Sequence, residues 1–314
     1  MAGEFLTPRK MPTERHPFSM AMARNRYPRG ADMKNGSYVV DRSTLARFMK
    51  DGAMNAQEGI SLIGITDDSV ARLLPPPLTL LNPEAPLFYV YIVNIREPTF
   101  APWYMEGGIG LMAKYGDTAG LYFLNLQLSG PGALMGAFSG RETSGLPKKL
   151  CERIVVERID DYAHCFIERK GIRLIDVELE VGHYNAPQTS VPQESCRNGE
   201  RYVEEGICFL HRYSIDPSRG FADLGLYLYD SRTGFDDWEP AAATITMQPS
   251  IDDPWAEVPV KSVLSAGWMK SDNWIEKLTK VYDYPDDDVD ETMRYLFTGR
   301  WDHSVVSSAH QRYE

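Results

Sequence analysis

Two adjacent lysines, Lys148 and Lys149, stand in the segment Gly140–Leu150 (GRETSGLPKKL). A lysine has a chemistry that carboxylates and hydroxyls lack: as the free amine it attacks a ketone and forms an imine. Most lysine pairs on turns are simply solvated charges. Here Leu146 and Leu150 bracket the pair with apolar side chains, and Gly145-Leu146-Pro147 turns the chain just before it. An ammonium drawn into an apolar interior is penalised in its charged form, and a second ammonium nearby acts in the same direction. Each unit of such a shift costs roughly 1.4 kcal/mol, so a buried cavity is the natural way to supply several.

Other chemistries find less support. The four cysteines, Cys151, Cys165, Cys196 and Cys208, follow no CxxC spacing, and no HExxH occurs, so neither a metal nor a disulfide framework is expected. Gly107-Gly108-Ile109-Gly110 lacks the spacing and the strand-to-helix setting of a dinucleotide fingerprint. The net charge of −11 argues against binding a nucleic-acid backbone or an anionic membrane surface, yet a pocket can still be locally positive for a small anion. The N-terminus has no apolar leader, and no apolar run reaches membrane-spanning length. A cytoplasmic protein without membrane or nucleic-acid partners is the expectation.

The elements that must position the lysines read as strands. With 21 prolines, 25 glycines and 17 tyrosines in 314 residues, the composition favours many strands and turns over a helical bundle. Strands are expected at 60–65, 87–95, 109–114, 119–128, 133–138, 152–158, 164–168, 172–181, 209–215, 225–229 and 243–247. Helices are expected at 41–50, capped by Asp41 or Ser43, at 70–74, at 274–282 and at 291–297, with 286–290 a charged surface turn. Pro147 suits the first position of a helical turn over 147–151. Consecutive residues would there point about 100° apart, so at most one ammonium enters the interior. Residues 1–35 read as an irregular arm, 185–199 as a loop and 300–314 as a loose tail.

The stretch Glu106–Leu150, with its GRE and PKKL elements, resembles the acetoacetate decarboxylase family. That resemblance covers 58–285 and is densest at 104–151. It implies a β-rich α+β fold in which a central antiparallel β-barrel encloses a cavity, with peripheral helices around it. The implied division is a 1–55 arm with a short helix, a 56–285 body, and a 286–314 C-terminal helical turn and tail. It further implies that Lys148 forms the Schiff base and that Lys149 stands beside it, long credited with easing loss of the proton. Glu106, in Tyr104-Met105-Glu106, lines the cavity, and Arg141 and Glu142 brace the lysine turn. Tyr91, Tyr104, Tyr122 and Phe123 are candidate pocket walls by strand position. His183 is ranked ahead of His164 and His211 as a proton shuttle. Two departures stand out: Tyr91 occupies the place of a second cavity glutamate, and Gln57 that of an arginine.

The expected activity is therefore decarboxylation of a β-keto acid, acetoacetate or a larger analogue, through an imine and without a cofactor. Aldol–dehydration or cyclisation of a 2-keto acid is the alternative. A non-enzymatic small-molecule-binding barrel is the third reading. Family members commonly form homo-oligomers, and the same is expected here.

Overall fold

The computed structural model describes residues 38–50, 52–186, 196 and 199–310. The expected arm over 1–35 lies outside them, as does most of the loop over 185–199. The chain divides into a short unit, 1–46, and a body, 47–314. In the former, Asp41 caps the helix Arg42–Lys50, its carboxylate accepting from the Thr44 amide at 2.8 Å, as a side-chain cap should.

The body is built on strands β1 (Ala53–Ile65), β2 (Thr79–Leu80), β3 (Leu87–Pro98), β4 (Tyr104–Tyr115), β5 (Thr118–Ser129) and β6 (Lys148–Leu150). There follow β7 (Arg153–Ile159), β8 (Tyr162–Arg169), β9 (Ile172–Val181), β10 (Tyr202–Asp216), β11 (Gly220–Thr246) and β12 (Ser262–Asp283). They form one twelve-stranded sheet whose path runs β10-β5-β4-β3-β1-β12-β11-β9-β8-β7.

That path corrects the expected central antiparallel barrel: the sheet is mixed and is not a closed barrel. β5 meets β10 in parallel through a single register pair, Leu121 with Cys208, and takes β6 in parallel along its other part. The long β11 pairs with β10 and β12, then leaves through Ala241–Thr246 to pair with β9. Bulges along β11 and β12 bend these strands, and a bulge raises local twist. The bent β11 thereby carries the sheet onward to β8 and β7 instead of closing it.

Alternation gives the sheet two apolar faces. Along β3, Phe88, Val90 and Ile92 join one core with Ile60, Leu62, Ile109 and Trp268. Tyr89, Tyr91, Val93 and Ile95 turn to the other, with Tyr104, Phe123, Leu126 and Met269. Each fully buried aliphatic or aromatic side chain contributes roughly 1.5–3 kcal/mol, so neither face can be exposed at small cost.

Four local expectations give way to tertiary pairing. Ala133–Phe138 is a helix: Ala, Leu and Met favour that state, and the segment has no β-branched residue. Trp274–Tyr282 belongs to β12, where the ladder to β11, joined by β1 at Trp274, overrides its amphipathic pattern. Asp286–Asp290 is no surface turn but the start of the helix Asp286–Leu296, three aspartates in its first turn complementing the macrodipole. Residues 300–310 are no loose tail: Arg300 is buried, and a helix follows at His303–His310. Residues 311–314 lie outside the described residues.

A buried histidine ties two of these parts together. His211 Nε2 lies 2.9 Å from the Tyr284 hydroxyl, whose own proton goes to the Pro76 carbonyl at 2.7 Å. Nε2 must therefore be the donor, and burial, which pushes the pKa down to about 3 from an ordinary 6.5, keeps His211 neutral. In the unfolded chain the ring binds a proton below about 6.5, whereas in the fold it stays neutral to about 3. Its contribution to stability is whole above 6.5 and is lost as pH falls through that window. Denaturation midpoints measured from pH 7 to 4 should fall for the wild type, and less steeply for His211→Phe.

Candidate active site

Residues 147–151 are the fifth correction and the one that builds the site. No helical turn forms. The Pro147 carbonyl accepts the Leu126 amide at 2.9 Å, and Leu126 and Gln127 pair in register with Lys148 and Lys149. Successive residues of a strand point to opposite faces. Both lysines are buried, at 2% and 5% exposure, so the expectation that at most one enters the interior is also corrected.

Lys148 turns toward β4. Its Nζ donates to Glu106 Oε2 at 2.7 Å, and Glu106 itself is 3% exposed. The Tyr91 hydroxyl donates to the other oxygen, Oε1. Tyr91 reaches it because β3 and β4 pair Val93 with Glu106 and Tyr91 with Gly108, which puts both side chains on one face. Burial first, and then the Glu106 charge, hold the Tyr91 phenol well above its usual pKa. It is a fixed donor to the carboxylate, not a group that gives up its proton. Gly140 clears the space on the other side: a Cβ there would sit 2.8 Å from Lys148 Cδ and Cε and 3.1 Å from Nζ.

Lys149 goes to the opposite face. Its Nζ donates to the Asp252 carbonyl at 2.6 Å and to Asp253 Oδ1 at 3.1 Å, and pairs with Asp302 at 3.2 Å. Arg169 bonds the same two acids, at 2.6 Å to Asp253 and 2.8 Å to Asp302. Gln127, wholly buried, donates to Asp253 at 2.8 Å and to Asn125 at 2.6 Å. Asp252 is further held by Ser304. The Lys149 charge is thus met locally, on the far side of β6 from the Lys148 amine.

The remaining expected site residues divide. Tyr104 lies on the Glu106 face, fully buried, with a hydroxyl that has no partner among the described residues and a pKa held well up by burial. Phe123 packs edge-on against Tyr91, ring centroids 5.9 Å apart. Tyr122 faces the other core, against His211. His183 is exposed in the turn after β9, and His164 pairs with Asp176, so neither histidine joins the lysine. Arg141 does bear on the turn, its guanidinium 3.4 Å from the Lys148 carbonyl and over the Trp301 ring. Glu142 is exposed. Gln57 is buried and donates to the Met54 carbonyl.

Sequence reasoning passed over Asp252, Asp253, Arg169, Arg300 and Asp302. The one local signal was Asp252-Asp253-Pro254-Trp255, two acids beside a residue made for burial. Among the described residues no group of three His, Cys, Asp or Glu could hold a metal ion, and no helix is long and apolar enough to cross a membrane.

Several known proteins are similar to this chain. A family model described as acetoacetate decarboxylase matches residues 41–285. The "CLA biosynthesis isomerase" of Lactiplantibacillus plantarum is 32% identical over 277 residues, covering 86% of this chain and 96% of that protein. Acetoacetate decarboxylase from Legionella pneumophila superposes with a TM-score of 0.62 at 16% identity, over 81% of this chain and 94% of the other. The enduracididine biosynthesis enzyme MppR, complexed with the condensation product of pyruvate and imidazole 4-carboxaldehyde, gives 0.57 at 11% identity, over 82% and 100%. The last two likenesses speak to the fold.

Because Lys149 is balanced by its own acids, Lys149→Met should act on stability more than on chemistry. Removing one member of a buried ion network costs about 3–5 kcal/mol, readable by chemical denaturation. The folded variant should still form borohydride-trapped adducts at Lys148, with the wild-type pH dependence.

Proposed function

The chain belongs to the acetoacetate decarboxylase family, and from that membership we propose that it acts on a keto acid through an imine on Lys148. The observation that carries this reading is the buried row Lys148–Glu106–Tyr91. A lysine amine that is buried, bonded to one carboxylate and given room by a glycine beside its stem is equipped to add to a carbonyl. Glu106 is placed to take the ammonium proton first. The free amine then adds to the ketone carbon, Glu106 returns the proton to the carbinolamine hydroxyl, which leaves as water, and a protonated imine remains as an electron sink.

Two outcomes follow from that intermediate. In the first, the Glu106 carboxylate removes a proton from a carbon next to the imine, and the resulting enamine takes a proton back at a different carbon, moving a double bond. The named activity of the Lactiplantibacillus relative favours this outcome. So does Tyr91, which places a phenol where a second carboxylate was expected and leaves Glu106 as the acid–base group of the pair. In the second, the bond to a β-carboxylate breaks, its electrons pass to the iminium nitrogen, CO2 leaves, and the enamine carbon takes a proton from solvent, relayed through Glu106. The family model and the PKKL segment favour that outcome. In both, water finally releases the ketone from Lys148.

Incubation with β-keto, 2-keto and β,γ-unsaturated keto acids, followed by borohydride reduction and peptide mass analysis, should place an adduct on Lys148. No adduct with any of them would sink the imine reading. Headspace CO2 from the same incubations reports decarboxylation, while a rising conjugated-enone absorbance without CO2 reports the double-bond shift. Tyr91→Phe should still trap the imine. It should slow deuterium uptake from solvent at the carbon beside the carbonyl by roughly tenfold or more, since positioned acid–base groups contribute about 10²–10⁴-fold.

A further inference from the structure

Arg300 is a buried charge without a counter-charge. It is 6% exposed, and among the described residues no carboxylate pairs with it. Buried guanidinium groups are ordinarily paired, because desolvation is costly. Its bonds run to backbone carbonyls instead: Nη2 donates to Gly145 O and, at 3.0 Å, to His211 O. Its cation also faces the Tyr213 ring at 5.5 Å.

Those two carbonyls belong to the place where the lysine strand leaves its turn. Gly145 has φ +86 and lies so close to β10 that a Cβ would come within 2.3 Å of the His211 oxygen. Two carbonyl dipoles meeting there repel unless a donor bridges them, and one guanidinium nitrogen does so. The residue before Arg300 continues the contact. Gly299 packs on the Pro147 ring, where a Cβ would stand 3.1 Å from Pro147 Cβ. Asn125 Nδ2 bonds both the Gly299 carbonyl at 3.1 Å and the Pro147 carbonyl at 3.3 Å. Two residues after Arg300, Asp302 meets Lys149 Nζ. Lys148 is therefore flanked on both sides by backbone or side chain tied to one short C-terminal segment.

We infer that the segment Gly299–Asp302 is a positioning element for Lys148, with Arg300 the residue that sets the Gly145–Pro147 turn and so the placement of Nζ beside Glu106. This rests on the imine reading of Lys148. Arg300 touches no reacting atom; it acts through the backbone. Misplacing a reacting group by about 1 Å can cost roughly a hundredfold in rate, and the turn is one residue from the nucleophile.

The test compares the intact wild type with Arg300→Met, Arg300→Lys and Asp302→Asn. Three readings are taken: thermal melting, hydrogen exchange resolved to peptides, and the rate of borohydride trapping with acetoacetate across a pH series. Arg300→Met should remain folded, exchange faster at residues 145–150 than elsewhere in the body, and trap at least tenfold more slowly. Arg300→Lys, which can bridge only in part, should recover some of that rate, and Asp302→Asn should lose less than Arg300→Met. Wild-type trapping rates in folded Arg300→Met, or a loss that only follows the unfolded fraction, would overturn the inference. If Arg300→Met does not fold, Arg300→Lys decides: slowed trapping in a folded protein supports the inference, and an unchanged rate overturns it. A wild type that traps no keto acid counts against the imine reading alone. Hydrogen exchange then decides for the positioning role: acceleration confined to 145–150 supports it, and acceleration spread through the body overturns it.

Discussion

The structure depends on the burial of two neighbouring ammonium groups in opposite directions. A strand sends successive side chains to opposite faces, so β6 delivers Lys148 to one side of the sheet and Lys149 to the other. Each charge must then find its acids where it arrives, because an unpaired buried ion costs several kcal/mol. Lys148 finds a single carboxylate, Glu106, capped by Tyr91. Lys149 finds Asp253 and Asp302, with Arg169 and Lys170 sharing the charge. The dense pairing lies on one side, and the other holds one lysine and one acid.

Much of the surrounding architecture serves that division. β3 and β4 place Tyr91 and Glu106 on one face through their register. β5 holds β6 in parallel, and its own side chains Asn125 and Gln127 reach into the network behind Lys149. The helix Ala133–Phe138 and the π-helical turn Ser139–Ser144 bring Gly140 against the lysine stem. The C-terminal residues, far off in sequence, close the arrangement through Arg300 and Asp302. A mixed sheet that bends through β11 toward β9 is what lets both the front and the back of β6 be covered.

The same arrangement separates two explanations of a reactive lysine. Proximity of a second ammonium was one, and burial the other. Lys149 points away and is neutralised by acids of its own, so it presents no uncompensated positive charge to Lys148. Tyr91 sharpens the point. Its phenol, kept protonated by burial and by the Glu106 charge, is a permanent hydrogen-bond donor, so the site holds one carboxylate with a defined orientation.

Local residue types were enough to place most of the strands, because alternation and β-branched or aromatic runs are written in the chain itself, as in Leu87–Ile95. Lys148 and Glu106 were singled out by the GRE, PKKL and Tyr-x-Glu elements that resemble the family. Whether Pro147 opens a helix or a strand was not legible, since the answer lies in the Leu126 amide that its carbonyl meets. The same holds for Trp274–Tyr282, whose helical pattern yields to the ladder with β11, and for the path of the sheet, which bulges in β11 and β12 divert. The acids that receive Lys149, and the arginine that fixes Gly145, stand more than a hundred residues away in sequence. No short-range pattern joins them to the lysines. The chain thus determined by itself which side chains could do the chemistry, and the tertiary structure decided where each ammonium points and what neutralises it, because direction and charge balance are properties of neighbours brought together only by folding.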